Sequence, residues 1–152
     1  MSTSVIDSVS GRVSFPDGLV FYPSMTVRDL PGNCRAKEYR AGMEGHRMFP
    51  CGPHEMDGRR WGVAAIFSSH IDQVWLQLQS EALVGMSLDN EWIRHRWHID
   101  YMRESFQGRH FIPQPGDGIR VDLPWGFVAC WVDPRGVQAI LQVKYTDGGN
   151  ER

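Results

Sequence analysis

The chain has few cysteines, no block of charge of one sign and no long apolar run, and each absence excludes a class of protein. Three cysteines in 152 residues are too few, and odd in number, for the disulfide framework of a small secreted domain. The 16 basic and 18 acidic residues give a formal net charge of -2, which disfavours nucleic acid and anionic membranes as partners. No stretch approaches the roughly 20 apolar residues that span a bilayer.

Targeting and catalytic motifs are also missing. The first residues, MSTSVIDSVSGRV, lack the basic start and apolar segment of a signal peptide, so we expect a cytoplasmic protein. There is no G-x-S-x-G elbow, no H-E-x-x-H, no P-loop and no G-x-G-x-x-G after a strand. These absences favour a non-enzymatic protein without a cofactor, although they do not exclude an enzyme.

Composition predicts one packed domain. The hydrophobic share of 41%, the charged share of 22% and six tryptophans are typical of a globular protein with a core. We expect residues 1–152 to form a single domain in which residues 1–10 and 146–152 are flexible. Residues 23–60 are rich in glycine and proline and predict a long loop region with short elements only, such as a helical turn at 26–30.

One long helix is the clearest element. It is predicted to begin near Asp89 and end near Phe106, because Ser87 can cap its start and Gly108 can stop it. Apolar or aromatic side chains recur at helical spacing, which predicts that they form the buried stripe. The predicted stripe is Leu88, Trp92, His95, Ile99, Met102 and Phe106.

The other signals are those of β-strands. Two short runs, 11–15 and 19–22, flank a turn at 16–18; residues 61–67 predict a central strand, and 73–79 a half-buried one. Residues 125–132 and 137–145 predict a hairpin around 133–136, whereas 109–118 predicts a loop. The predicted fold class is α+β, a mostly antiparallel sheet with one long helix packed on one face.

The polar side of the alternating strands is the leading candidate site. It carries Gln73, Trp75, Gln77, Gln138, Ile140 and Gln142, which combine little charge with an aromatic side chain and adaptable amides. This composition favours a surface that binds a protein partner, or a second copy of the chain. The alternative is that residues 23–60 cover Trp75 and Ile140 as a second small core.

Two alternative sites involve histidine. His46, Cys51 and His54, with Cys34 as a further thiol, could hold zinc, but the two tight ligand pairs of most structural zinc sites are missing. On the helix, His95 and His98 could serve a small-molecule, metal or enzyme pocket between residues 23–60 and the helix. The simpler interpretation is that these helix histidines are buried and hydrogen bonded.

The order of several segments resembles a known type of protein. Residues 86–91 with Arg94 and His98, then 124–128 and 133–136, and a last strand ending in Tyr145 are similar to small bacterial α+β proteins of the toxin-immunity type. The resemblance covers roughly residues 60–145. It implies a non-enzymatic inhibitor that binds a cognate toxin, and it supplies no functional residues.

Overall fold

The computed structural model describes residues 5–39, 45–56, 58–83, 87–133 and 138–146. These described residues form two helices, ten strands, a 3₁₀ turn at Val27–Asp29 and a second at Pro115–Asp117. The strands are β1 Val13–Ser14, β2 Val20–Phe21, β3 Arg47–Pro50, β4 His54–Met56, β5 Arg59–Phe67, β6 Ile71–Gln79, β7 Ile112–Gln114, β8 Gly118–Leu123, β9 Gly126–Asp133 and β10 Gln138–Tyr145. The helices are α1 Gly32–Arg35 and α2 Leu88–Ser105.

Eight of the strands form one antiparallel sheet. Its order is β3-β5-β6-β10-β9-β8-β7, and β4 pairs with the same edge of β5 as β3 does. β1 and β2 form a separate hairpin, as the turn at residues 16–18 predicts. The α+β class and the antiparallel sheet with one long helix are therefore confirmed.

The core lies on one side of the large sheet. α2 packs against β6, β9 and β10 on this side, and the β1–β2 hairpin contributes buried Val13 and Phe21 to the same core. Residues 5–10, expected to be frayed, join it as well: Val5 and Ile6 are 1% and 2% exposed, and the Trp125 indole donates to the Ser8 carbonyl over 3.0 Å. Residues 1–4 and 147–152 lie outside the described residues.

The helix bounds are confirmed, but its predicted buried stripe is wrong at the N-terminal end. Ser87 caps α2 by accepting a hydrogen bond from the Asn90 N–H over 3.1 Å. However, Leu88 and Trp92 are 46% and 37% exposed, whereas Glu91 is 4% exposed. The buried face instead consists of Glu91, Arg94, His95, His98, Tyr101 and Met102.

A break in the sheet explains why polar residues occupy this face. β6 and β10 pair only as far as Leu76 and Leu141, although the same register, continued by two residues, would place Leu78 opposite Ala139. The Leu78 N–H instead donates to His98 Nε2 over 3.0 Å, and the Leu78 carbonyl accepts from Arg94 Nε over 2.7 Å.

The Ala139 backbone is satisfied in the same way. Its N–H donates to Glu91 Oε1 over 2.8 Å and its carbonyl accepts from Gln77 Nε2 over 2.8 Å. Four side chains thus replace the hydrogen bonds that the two strands no longer make to each other. Because buried backbone groups without partners are costly, this requirement outweighs the apolar pattern of the helix.

One further expectation differs from the structure. Residues 109–118, predicted as a loop, contain β7 and a 3₁₀ turn, since Pro113 is tolerated in an edge strand such as β7. The hairpin of β9 and β10 is confirmed in its strands, although the turn residues 134–137 lie outside the described part. Among the described residues, no helix has the length and apolar content needed to cross a membrane.

Candidate functional site: the Trp75 face of the sheet

The sheet surface opposite the core carries the leading candidate residues, and we call it the Trp75 face. It is formed by alternate residues of adjacent strands, because side chains alternate across a sheet. Gln142 lies directly opposite Trp75 on one side and Ala129 on the other, and Ile140 lies opposite Trp131. The face comprises Gln73, Trp75 and Gln77 of β6, Gln138, Ile140, Gln142 and Lys144 of β10, Phe127, Ala129 and Trp131 of β9, and Arg120 and Asp122 of β8.

Two half-buried tryptophans form the centre of this face. The rings of Trp75 and Trp131 meet edge to face, with centroids 6.1 Å apart and an interplanar angle of 89°. Such pairs are favourable beyond the area that they bury. Ile140 is 2% exposed, so little of its side chain is available to a partner.

Hydrogen bonds fix the orientation of both indoles. Trp75 Nε1 donates to Gln73 Oε1 over 2.6 Å, and Trp131 Nε1 donates to Gln142 Oε1 over 3.2 Å. The two amides are joined in turn, because Gln142 Nε2 donates to Gln73 Oε1 over 2.7 Å. The four side chains form one connected network, which holds them in place before any partner arrives.

Charged side chains occur at the margins of the face and are paired there. Lys144 Nζ lies 2.6 Å from Asp72 Oδ1, and Arg120 Nε lies 2.7 Å from Asp122 Oδ1. The Arg120 guanidinium also lies 4.2 Å from the Phe127 ring centroid. The result is an uncharged aromatic and amide centre between polar margins, the arrangement typical of protein interfaces.

The other two candidate glutamines take different positions. Gln77 uses its amide to bind the Ala139 carbonyl, so it is engaged within the sheet. Gln138 is exposed and lies opposite Asp133 at the end of the β9–β10 hairpin. The structure therefore brings Gln73, Trp75 and Gln142 together and leaves Gln138 at the margin.

Residues 23–60 contribute to both sides of the sheet, because β3 places Met48 opposite Ile66 on the Trp75 side and Phe49 opposite Ala65 on the core side. Their buried apolar side chains belong to the core cluster that α2 also covers, which is the opposite side from Trp75. These residues are Met25, Leu30, Cys34, Phe49 and Cys51. Residues 40–44 and 57 of the loop region lie outside the described residues, and the alternative in which this region covers Trp75 and Ile140 stays a prediction.

The proposed zinc ligands do not converge. His54 Nδ1 lies 2.5 Å from Asp17 Oδ2, and His54 Nε2 contacts the Cys51 carbonyl, whereas His46 lies 3.9 Å from Asp72. Burial, and next the hydrogen bond that the protonated Cys51 thiol makes to Cys34, raise the pKa of Cys51, which disfavours the thiolate that zinc needs. Among the described residues, no group of three or more His, Cys, Asp or Glu could hold a metal ion.

His95 and His98 are both fully buried. His95 Nε2 lies 3.0 Å from the Asp117 carbonyl, and His98 Nε2 accepts from Leu78. Burial, the charge of Arg94 and the neighbouring His95 lower the pKa of His98 to about 3. At neutral pH His98 is therefore an uncharged acceptor within the fold and is poorly matched to acid–base catalysis.

Sequence reasoning missed Trp131 and Phe127. Residues 125–132 read as a continuous apolar strand, so their alternation between the two sides was not visible. The register of the β9–β10 hairpin places Trp131 opposite Ile140 and Phe127 opposite Lys144. Had that register been known, cross-strand pairing would have placed both aromatics on the Trp75 face.

No known protein family matches the chain, and no match was found among curated proteins or solved structures.

Proposed function

We propose that the protein is a non-enzymatic binding domain that engages a protein partner through the Trp75 face. The observation that carries this proposal is the edge-to-face pair of Trp75 and Trp131 at an uncharged centre, with each indole hydrogen bonded to a glutamine. Tryptophan is enriched among the residues that dominate binding energy, and such residues cluster at the centre of an interface. Because the two indoles are already held, binding loses less side-chain freedom than it would with mobile side chains.

The chemistry of the face indicates what kind of surface the partner would present. An aromatic and amide surface without central charge fits a partner patch that is equally uncharged and offers hydrogen bonds to the glutamines. The resemblance in sequence to toxin-immunity proteins supplies a class of partner, a cognate bacterial toxin. We propose inhibition of such a toxin as the biological role, exerted by covering its surface.

Comparative capture tests the binding proposal. Tagged wild type, the double variant Trp75→Ala/Trp131→Ala and the control Trp92→Ala are each used to capture proteins from native lysate, and the captured bands are quantified. Trp92 is 37% exposed but lies on α2, on the opposite side of the sheet. A partner retained by the control and lost from the double variant supports the proposal. A partner retained equally by all three contradicts it.

Two further measurements separate the alternatives. Light scattering on wild type and the double variant shows whether the partner is a second copy of the chain, since a wild-type dimer dissociated by the double substitution would assign the face to self-association. Co-expression tests the proposed toxin: the captured partner should arrest growth alone, wild type should restore growth, and the double variant should not. A partner that is harmless when expressed alone contradicts the immunity role.

A further inference from the structure

A groove of about 940 Å³ lies at the end of the sheet where β6 and β10 separate. Its walls are the β4–β5 connection with the start of β5, the end of β6 and the adjacent side of α2. This volume falls in the range of small-molecule sites, about 300–1,000 Å³. Trp75 and Trp131 are not among the residues that line it.

A buried arginine lies in the wall of this groove. The Arg94 side chain is 10% exposed and is fixed at two of its three nitrogens: Nε donates to the Leu78 carbonyl over 2.7 Å, and Nη1 donates to Glu91. Glu91 is held in turn by the Ala139 N–H. The remaining nitrogen, Nη2, has no hydrogen-bond partner in the part of the chain that the structure describes. It is not fully buried either, so a ligand in the groove can reach it.

The surroundings of Arg94 indicate the shape of a ligand. Helical spacing places Trp97 beside Arg94 on α2, and the half-buried indole lines the groove together with Leu78 and Leu83. An anionic oxygen would meet the guanidinium, while an apolar group would lie against the indole. Arg59 and Arg60 line the groove from β5 and also favour an anion.

Acidic residues also line the groove and limit the charge of the ligand. Asp100 and Glu104, both exposed, lie one turn apart on α2 beyond Trp97, and Glu55 and Glu81 complete the acidic lining. A polyanion such as a nucleoside triphosphate would be strongly repelled by these four carboxylates. A ligand with a single negative group meets much less of that repulsion.

We propose that this groove binds a small monocarboxylate with an aromatic or apolar body, its carboxylate on Arg94 Nη2 and its body on Trp97. A charge-assisted hydrogen bond from a preorganised guanidinium supplies the recognition. The proposal is independent of the Trp75 face, since neither Arg94 nor Trp97 belongs to that surface.

Phenylacetate and its neutral analogue phenylacetamide are the probes. Each is titrated into the ¹⁵N-labelled full chain while the Arg94 Nε–H and Trp97 Nε1–H signals are followed. Phenylacetate should shift both signals, and the amide should bind at least about 10-fold more weakly because it lacks the charge. Equal affinity for acid and amide, or no shift with either, would overturn the proposal. Inorganic phosphate that binds more tightly than phenylacetate would also overturn the choice of a carboxylate.

Variants then test the two contacts. Trp97→Ala should weaken phenylacetate binding several-fold, whereas Trp92→Ala, on the same helix outside the groove, should leave it unchanged. Arg94→Lys keeps the charge but loses the planar fork, and should weaken binding about 10-fold. Thermal unfolding of each variant establishes that it is folded. Unchanged affinity in folded Trp97→Ala and Arg94→Lys would refute the assignment.

Discussion

Replacing Glu91 with alanine should be among the most destabilising changes on α2, although glutamate is a polar residue. The Glu91 carboxylate accepts from the Ala139 N–H over 2.8 Å and pairs with Arg94, and the residue is 4% exposed. Glu91→Ala therefore leaves both the guanidinium and a backbone N–H without this partner.

The magnitude follows from these two losses. Breaking a buried ion pair by removing one partner costs about 3–5 kcal/mol, and an unsatisfied buried N–H costs about 1–3 kcal/mol. One carboxylate serves both groups, so the losses are not additive, and we expect about 3–5 kcal/mol in total. Leu88→Ala is the control, since Leu88 is 46% exposed and its truncation should change stability by about 0.5 kcal/mol or less.

Urea unfolding followed by tryptophan fluorescence measures both values, with the free energy of unfolding compared at a shared m-value. Glu91→Gln adds a graded test, because the amide oxygen can still accept from Ala139 while the charge that pairs with Arg94 is lost. Its cost should fall between those of Leu88→Ala and Glu91→Ala. A Glu91→Ala cost below about 1 kcal/mol, or one smaller than that of Leu88→Ala, would refute the role assigned to the polar face of α2.

Three further predictions concern pH, glycine and thiols. The pKa of His98 is about 3 in the folded protein and about 6.5 in the unfolded chain. As the pH is lowered, the unfolded state therefore takes up the proton first. The free energy of unfolding should decrease as the pH is lowered from about 6.5 to 3, by at most about 1.4 kcal/mol per pH unit. His98→Gln should flatten that slope in acid titrations of unfolding, and an unchanged slope would contradict the burial of an uncharged His98. Gly11 has φ +80, and a Cβ there would lie 2.7 Å from Trp125, so Gly11→Ala should lower stability by about 1 kcal/mol or more. The control Gly32→Ala, whose Cβ would have no atom nearer than 3.8 Å, should not. A tolerated Gly11→Ala would contradict the packing of the N-terminal segment against Trp125. All three cysteines are buried and should react with a thiol reagent only after unfolding; rapid labelling of the native protein would contradict their placement.

The sequence predicts the elements whose signals are local. Ser87 and Gly108 bracket α2 correctly, and alternation places Gln142 and Trp75 on one side of the sheet. In contrast, the orientation of α2 depends on where β6 and β10 stop pairing, which no local pattern reveals. Hence Leu88 was expected to be buried and is exposed.

Other differences have equally specific causes. β8 was not predicted, because the glycines and prolines just before it favour a loop. Its apolar residues Ile119, Val121 and Leu123 nevertheless alternate with polar ones, as in a half-buried strand. The zinc hypothesis relied on closeness in sequence. In space, His54 turns to Asp17 of the β1–β2 connection, and closeness along the chain does not bring His46 to the same point.

The affinity of the captured partner is the measurement that tests the central claim most directly. Calorimetric titration with wild type, Trp75→Ala/Trp131→Ala and Trp92→Ala compares the same purified partner against all three. The account predicts a loss of at least about 30-fold for the double variant, equivalent to a hot spot of about 2 kcal/mol, and wild-type affinity for Trp92→Ala. Wild-type affinity in a folded double variant would contradict the assignment of the Trp75 face as the binding surface.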